Sequence, residues 1–306
     1  MKILYGISVN NSIDVTEICQ VLRTDNIIHI PAIDYNRADL FTDPYIGFIK
    51  KIFIIDNESV REFDHKTRIE INTSDNTIYS FRYDDPIIEA KISEIQSKLK
   101  LSFGIFSDEL PEQKMVVRSL SGNEKVLEIG SNIGRNSLVI ASILQNQNNF
   151  VTLESDKNSV TCVTHNRDLN NFKFHIENSA LSTRKLIQRG WNTIPSDILL
   201  DGYNWVDTIN FVDLQNKYKI EFDTLVLDCE GAFYYILMDM PEILSNVNLI
   251  IMENDYLDIN HKQYVDKVLI RNNFFRSYVE SGEFNLPKHL PCRTNFYEIW
   301  KKYGIK

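Results

Sequence analysis

Polar side chains that could do chemistry stand at the ends of several apolar stretches, where predicted strands finish. The strands alternate with predicted helices, so they are expected to form a mostly parallel sheet whose carboxyl ends meet at one edge. Carboxylates at such an edge can accept hydrogen bonds from a ligand or take a proton from it. The residues at these strand ends are Glu128, Gly130, Glu154, Ser179, Asp228, Glu230 and Glu253.

The segment 125–137 predicts a buried strand, a glycine turn and the start of a helix. Its glycines, Gly130 and Gly134, have the spacing G-x-x-x-G and enclose Ser131 and Asn132. Glycine lets the backbone turn sharply and lets a ligand approach it, and a helix N-terminus offers free N–H groups. The pattern therefore indicates a nucleotide site, although ordinary strand-to-helix turns also show it.

Glu154 ends the next predicted strand, 20 residues after the second glycine. An acid at this distance binds ribose hydroxyls in dinucleotide folds, and we expect Glu154, with Ser155 beside it, to do the same rather than to be a solvated acid. Glu128 is predicted to hold a ligand ammonium, directly or through water. Ser179 and Ala180 end the third strand, where an adenine edge would lie.

Two cofactors fit this arrangement, NAD and S-adenosylmethionine (SAM). The dinucleotide fingerprint is G-x-G-x-x-G, whereas this chain has G-S-N-I-G. A predicted antiparallel strand pair, 275–279 and 296–301, also favours methyltransferases over dehydrogenases. SAM is therefore the predicted cofactor.

Seven motifs follow one another in order: 126–134, 150–156, Asn166 with Asn170-Asn171, 178–182, 228–232, 250–253 and 296–300. In this order and spacing they resemble class I SAM-dependent methyltransferases of the FkbM type, over about residues 100–302. The resemblance implies an α/β fold with a Rossmann-like class I methyltransferase sheet, mostly parallel, with an antiparallel last strand. Members are typically O-methyltransferases that act on sugars, polyketides and other secondary metabolites.

The chain departs from this family pattern at three positions. Glu128 stands where the family often has Asp, and Ser155 stands where it often has Pro. Phe233 replaces the second acid of the motif D-x-E-G-A-E, which leaves Asp228 and Glu230 as its carboxylates.

The expected reaction is methyl transfer to a hydroxyl of a sugar, a glycan or a related metabolite. The protein must align donor and acceptor and remove the hydroxyl proton. Asp228 is the first choice for the base, Glu253 is the second, and His261 is an alternative. Asp228 is also predicted to contact the cofactor. Glu230, in the first turn of a predicted helix, could also be catalytic or merely structural. Two or three of these acids could instead hold Mg²⁺.

Composition restricts the partners. The chain has 306 residues and a net charge of -9, with no basic stripe that would suit a nucleic acid. Its four cysteines form no C-x-x-C pair, which argues against a zinc site or a disulfide framework. No apolar run approaches the ~20 residues that span a bilayer, and no signal peptide is visible. We expect a soluble cytoplasmic protein that binds a small molecule or a glycan but no membrane, and that could form a homo-oligomer.

Three regions are predicted along the chain. Residues 1–83 form a small β-rich domain that could recognise substrate or a partner, 84–122 form a connecting helical segment, and 123–306 form the SAM-binding domain. Within them, 29–41 is expected to be a structural turn rather than a loop that binds a sugar or a partner through Tyr35, Asp34, Asn36 and Arg37. The stretch 183–222 is expected to be irregular, with a short strand and a turn over 206–214.

Two other functions stay open at this stage. The first is a binding protein without enzymatic activity, in which the Rossmann-like half is a degenerate scaffold and the β-rich domain recognises a glycan or a protein. The second is an NAD-dependent sugar oxidoreductase, which the glycine spacing disfavours.

Overall fold

The computed structural model describes residues 1–24, 26–57, 59–82, 84–282 and 291–304. The described chain divides into two compact units. The first contains 1–85, 278–282 and 293–296, and the second contains 86–277, 291–292 and 297–304. The predicted connecting segment and most of the predicted SAM-binding domain thus fall in the second unit. Residues 278–282 and 293–296, which were predicted to be part of the SAM-binding domain, belong to the first unit.

The first unit consists of two antiparallel sheets around one apolar core. The sheets have the strand orders β2-β1-β5-β6 and β3-β4-β7-β8. Their side chains Ile3, Ile28, Ile52 and Ile69 are buried in the same cluster. The elements are β1 (Lys2–Gly6), β2 (Ser12–Asp14), α1 (Thr16–Val21), β3 (Arg23–Thr24), β4 (Ile27–Ile30), α2 (Asp34–Phe41), β5 (Lys51–Asp56), β6 (Ser59–Phe63), β7 (Thr67–Asn72) and β8 (Ile78–Arg82).

A segment from the end of the chain completes this first unit. The guanidinium of Arg68 on β7 donates to the carbonyl oxygen of Thr294. The hydroxyl of Ser281 donates to the same carbonyl at 3.2 Å, and the N–H of Gly282 donates to the carbonyl of Arg293 at 2.8 Å. The unit is therefore discontinuous in sequence.

Helix α2 corrects the structural turn that was predicted over 29–41. The helix forms around Arg37, which is fully buried. Its guanidinium donates to the carbonyl oxygens of Pro31 and Asp64, each at 2.9 Å, and of Thr67 at 2.5 Å. Asp64 and Thr67 are distant from Arg37 in the sequence, so the local pattern of apolar residues does not predict the helix.

The second unit alternates strands and helices. Its elements are α3 (Pro86–Lys98), α4 (Leu110–Ser119), β9 (Val126–Ile129), α5 (Arg135–Ile143), β10 (Phe150–Leu153), α6 (Lys157–Leu169), β11 (His175–Glu177), β12 (Ala180–Leu181), β13 (Leu186–Arg189), β14 (Asn192–Pro195), β15 (Asn204–Val206), β16 (Thr208–Ile209), α7 (Phe211–Tyr218), β17 (Thr224–Leu227), α8 (Phe233–Asp239), β18 (Leu249–Glu253), α9 (Ile259–Arg271), β19 (Phe274–Glu280) and β20 (Tyr297–Lys302).

A seven-stranded sheet with the order β11-β10-β9-β17-β18-β20-β19 organises this unit. The run from β11 to β18 is parallel, and β20 pairs antiparallel with β18. The predicted α/β fold, a Rossmann-like sheet with an antiparallel strand near its end, is confirmed. Strands β10 and β11, which follow β9 in sequence, lie on one side of it in the sheet. The later strands β17 and β18 lie on its other side. The strand order therefore reverses between β9 and β17, which is where open α/β sheets bind ligands.

The stretch 183–222 is more ordered than predicted. It contains a three-stranded antiparallel sheet with the order β14-β13-β15. The prediction of a short strand and a turn over 206–214 is wrong in its second part, because helix α7 begins at Phe211. The side chain of Asn210 caps this helix by accepting from the N–H of Asp213 at 2.9 Å. Phe211 and Leu214 are buried and anchor α7 to the core.

None of the helices in the described ranges is long and apolar enough to cross a membrane.

Candidate functional site

The glycine turn after β9 touches the backbone that follows β17. Gly130 has φ +89°, and a Cβ atom there would lie 1.7 Å from the carbonyl oxygen of Asp228. The N–H of Gly130 donates to the carbonyl of Leu153 at 3.0 Å. Only glycine fits this close approach, so the turn and the Asp228 backbone meet at the point where the strand order reverses.

Glu154, at the end of β10, is held by backbone donors on both sides. Its Oε2 accepts from the N–H of Asn132 at 2.7 Å, and its Oε1 accepts from the N–H of Asp156 at 2.8 Å. Asn178 donates to the Glu154 carbonyl oxygen at 2.9 Å. Burial raises the pKa of the Glu154 carboxyl above its usual range. A carboxylate has about four acceptor sites, so Glu154 can still accept from a ligand.

The start of α4 fixes the other side of the turn. Asn132 has φ +50°, and its amide nitrogen donates to Oε1 of Glu109 at 3.1 Å. The same oxygen accepts from Nη1 of Arg135 at 2.6 Å. Hydrogen bonds to Glu109 thus hold the side chains of Asn132 and Arg135 against the start of α4, where they restrict access to the backbone of the turn.

A cavity of about 570 Å³ opens at this edge of the sheet, a size typical of small-molecule sites. The structure brings most of the predicted site residues together in its lining. They are Gly130, Asn132, Glu154, Ser155, Ser179, Ala180, Asp228, Glu230 and Glu253.

Two predicted cofactor contacts, Ser131 and Gly134, lie outside the lining of this cavity. A Cβ atom at Gly134 would lie 2.5 Å from Cγ2 of Val163, so this glycine permits close packing of α5 against α6. The Ser131 side chain is buried, and its hydroxyl has no hydrogen-bond partner among the described residues.

Glu128 also lies outside the cavity lining, although it was predicted to hold a ligand ammonium. Side chains alternate along a strand, so Glu128 faces the side of the sheet opposite to Leu127 and Ile129. There its Oε2 accepts from the hydroxyl of Ser137 on α5. The carboxyl is only 1% exposed, and burial raises its pKa to about 8. In this position the Glu128 side chain links β9 to α5.

The cavity is strongly acidic. Among the described residues that line it, the only basic side chain is Arg184, which is engaged by Asp239 at 2.5 and 2.7 Å. A cleft lined by one sign of charge attracts ligands of the opposite sign. The acidic lining residues are Glu109, Glu112, Glu154, Asp156, Asp228, Glu230, Asp239 and Glu253.

Three of these acids, Glu112, Asp228 and Glu253, form what we call the carboxyl cluster. The Glu253 carboxyl is hydrogen-bonded to those of both Glu112 and Asp228. Burial, and then repulsion from Asp228, raises the pKa of Glu112 to about 8. Burial, and then repulsion from Glu109, raises the pKa of Asp228 to about 7. The pKa of Glu253 is raised well above its usual value by burial and by both neighbours.

Glu112 was not among the predicted site residues. It lies on α4, within the segment 84–122 that was predicted only to connect the two domains. A signal was nevertheless present, because Glu112, Met115 and Val116 have the spacing i, i+3, i+4 of one helix face. The two apolar residues of this face are buried, and Glu112 is only 5% exposed.

The other two candidate catalytic groups have different surroundings. Glu230 is exposed, has φ +52°, and lines the cavity. The prediction that it lies in the first turn of a helix is wrong, because α8 begins at Phe233. Partial burial and the adjacent Asp255 raise its pKa to about 9. His261 does not line the cavity; its ring stacks on Tyr234 with centroids 3.8 Å apart, and Nε2 lies 4.0 Å from Asp258.

Aromatic side chains also line the cavity. Trp191, in the turn between β13 and β14, is 64% exposed, and Tyr235 on α8 is 38% exposed. The guanidinium of Arg184 lies 5.1 Å from the centre of the Tyr235 ring. Large exposed aromatic faces at a cavity are surfaces on which a ligand ring can stack.

No set of three or more His, Cys, Asp or Glu residues within the described ranges is arranged to hold a metal ion.

Comparisons with known proteins give weak likenesses. No protein-family model matches the chain, and no curated protein matches it. Among solved structures, it is similar to ribosomal protein L11 methylase from Lactobacillus delbrueckii subsp. bulgaricus (12% identity, 67% of this chain and 84% of that chain, TM-score 0.42). It is also similar to the O-methyltransferase from Bacillus cereus in complex with SAH (13%, 71% and 90%, 0.38). A third is a protein of the NADB-Rossmann superfamily from Streptococcus agalactiae (13%, 64% and 69%, 0.39).

Proposed function

We propose that this chain is a SAM-dependent methyltransferase. The observation that carries the proposal is the placement of the Glu154 carboxylate in an acid-lined cavity at the reversal of strand order. SAM carries a sulfonium and an ammonium against one carboxylate, so it is a net cation and suits this lining. NAD carries a pyrophosphate, and the one basic side chain among the described residues of the lining, Arg184, is already paired with Asp239.

The glycine turn gives a second reason to prefer SAM over NAD. Asn132 and Arg135 stand where the dinucleotide fingerprint has its second and third glycines. Both side chains are fixed on Glu109. The backbone of this turn is therefore less open to a pyrophosphate than a dinucleotide site requires.

The residues present suit the parts of SAM. Glu154 would accept hydrogen bonds from the ribose hydroxyls with the acceptor capacity that its backbone donors leave unused. Ser179 and Ala180 would border the adenine, and Gly130 and Asn132 would border the methionine part. When bound, SAM supplies a methyl group that its sulfonium already activates.

Asp228 is the proposed general base. It lines the cavity, and its pKa of about 7 lets it accept a proton from a hydroxyl near neutral pH. Glu253 has a pKa well above its usual value, so it tends to keep its proton and hydrogen-bond to Asp228. This division of roles favours Asp228 over Glu253.

The proposed acceptor is a hydroxyl of a sugar, a glycan or a related metabolite. Trp191 and Tyr235 provide aromatic faces for the apolar side of a ring, and carboxylates of the same cavity can accept from hydroxyl groups. The FkbM-type resemblance of the sequence motifs supports the same substrate class and stays a prediction.

Calorimetry tests the cofactor. The protein should bind S-adenosylhomocysteine (SAH), the product that remains after methyl transfer, and should not bind NAD under the same conditions. Tight NAD binding without SAH binding would favour the oxidoreductase. Binding of neither would favour a degenerate scaffold that serves as a glycan- or protein-binding module.

A further inference from the structure

The ammonium of SAM lacks the partner that the sequence predicted for it. Glu128, which was expected to hold it, contacts the Ser137 hydroxyl on α5 and lies outside the cavity lining. Gly130 and Asn132 are proposed to border the methionine part, and an ammonium beside them needs hydrogen-bond acceptors. An acceptor must therefore come from another element that reaches the glycine turn.

Glu109, immediately before α4, is that acceptor. Its Oε1 accepts from the amide nitrogen of Asn132 at 3.1 Å and from Nη1 of Arg135 at 2.6 Å. The side chain is 17% exposed and lines the cavity. No described residue donates to its other oxygen, Oε2, which keeps contact with solvent. The carboxylate thus has one oxygen fixed on the turn and the other free to accept from a ligand.

The charges around Glu109 favour a cation as that ligand. The Arg135 guanidinium contacts both Glu109 and Asp108, with Nη2 at 3.2 Å from Oδ2 of Asp108. One cation thus faces two carboxylates, and the group keeps a net negative charge that an ammonium would neutralise. Asp108 is 50% exposed and is not part of the cavity lining. Of the two acids, Glu109 is therefore the one that presents this charge to a ligand.

We propose that Glu109, and not Glu128, binds the ammonium of SAM. One of the three N–H donors of the ammonium would bond to Oε2 of Glu109, beside Asn132. The backbone fits such a role, because Glu109 has φ +58°, and the few non-glycine residues with left-handed backbone cluster at ligand sites. This inference rests on the proposed function, since it assumes that the methionine part of SAM lies at the glycine turn.

Calorimetry near neutral pH with three probes tests the assignment. They are SAH, its analogue in which hydrogen replaces the amine, and methylthioadenosine, which lacks the whole amino-acid end. The wild-type protein should bind SAH about 10- to 100-fold tighter than the deaminated analogue, because a hydrogen bond between charged groups is lost with the amine. Glu109→Gln should lose most of this preference. It should not weaken the binding of the deaminated analogue or of methylthioadenosine, and the latter also reports that the variant is folded.

Asp108→Asn is the matched control, since it removes the other carboxylate on Arg135 from outside the cavity lining. This variant and Glu128→Gln should both keep the wild-type preference for SAH over the deaminated analogue.

Equal wild-type affinities for SAH and the deaminated analogue would overturn the proposal. So would an equal loss of both ligands in Glu109→Gln, which would show that Glu109 only shapes the turn. Loss of the preference in Asp108→Asn would trace it to the net charge of the group, and loss in Glu128→Gln would return the ammonium to Glu128; either result also overturns the proposal. Failure of the wild type to bind SAH and methylthioadenosine would instead refute the proposed function.

Discussion

Oε2 of Glu154 accepts a hydrogen bond from the N–H of Asn132 at 2.7 Å. This single contact links the end of β10 to the glycine turn after β9. It means that the residue proposed to hold the ribose also shapes the turn proposed to hold the methionine part.

Replacement of Glu154 by Gln should weaken SAH binding by about 10- to 100-fold. A hydrogen bond to a charged group contributes roughly 1.5–3 kcal/mol, and the amide keeps one acceptor but loses the charge. Isothermal calorimetry measures the change. The exposed substitution Asp168→Asn is the control and should leave the affinity as it is. Wild-type affinity in Glu154→Gln would contradict the assignment of this residue to the ribose.

Replacement of Asp228 by Asn should lower kcat by roughly 10²- to 10⁴-fold, the usual contribution of a general base. In the wild type, kcat should rise as the pH rises through about 7, because Asp228 loses its proton there. A pH–rate profile of methyl transfer checks both effects. If the variant keeps the slope near neutral pH, another group is the base.

Glu128 should make the protein less stable as the pH rises. Its pKa is about 8 in the folded chain, against 4.5 for the ordinary side chain, so the folded state binds the proton more tightly. The stabilisation is complete below about 4.5 and is lost progressively up to about 8.

The variant Glu128→Gln has no such proton to lose, and its stability should depend less on pH in that window. Urea denaturation at a series of pH values measures the difference. Glu221→Gln serves as the exposed control. Parallel curves for wild type and Glu128→Gln would show that the carboxyl is already ionised in the folded protein.

Two glycines with positive φ should respond differently to Ala. At Gly130, with φ +89°, the new Cβ would lie 1.7 Å from a carbonyl oxygen; at Gly190, with φ +56°, it would meet no atom within 4 Å. In both variants, alanine in the left-handed conformation lowers the free energy of unfolding by about 1–2 kcal/mol. Gly130→Ala should lose at least ~1–3 kcal/mol more, because the backbone must move. Denaturant titrations compare the two, and equal losses would rule out the close contact at Gly130.

The central sheet could be predicted because its strands are short, mostly apolar runs. Leu127, Val151 and Leu225 are fully buried, and each lies in a short apolar stretch that ends at a polar residue. Such runs are typical of parallel strands covered on both faces. The same logic placed Glu154 and Asp228 at one edge, because strand ends follow from strand positions alone.

Other parts depend on contacts that sequence spacing does not encode. Helix α2 forms around the buried Arg37, whose partners on Asp64 and Thr67 are distant in the chain. The sequence could place Glu128 on its strand. It could not show which face of the strand borders the cavity, because residues on both faces of the strand are apolar. Glu112 resembled an ordinary acid in a first helical turn, where negative charge is favourable in any case.

The discontinuity of the first unit bears on how the protein folds as it is made. Residues 1–85 are synthesised first, but the carbonyl of Thr294, to which Arg68 donates, follows roughly 200 residues later. At ribosomal rates of about 5–20 residues per second, that delay is on the order of 10–40 s. During this interval the buried guanidinium of Arg68 lacks one of its acceptors. The N-terminal sheets are therefore expected to reach their final stability only once the segment around Thr294 has been made, after the strands that surround the cavity have emerged.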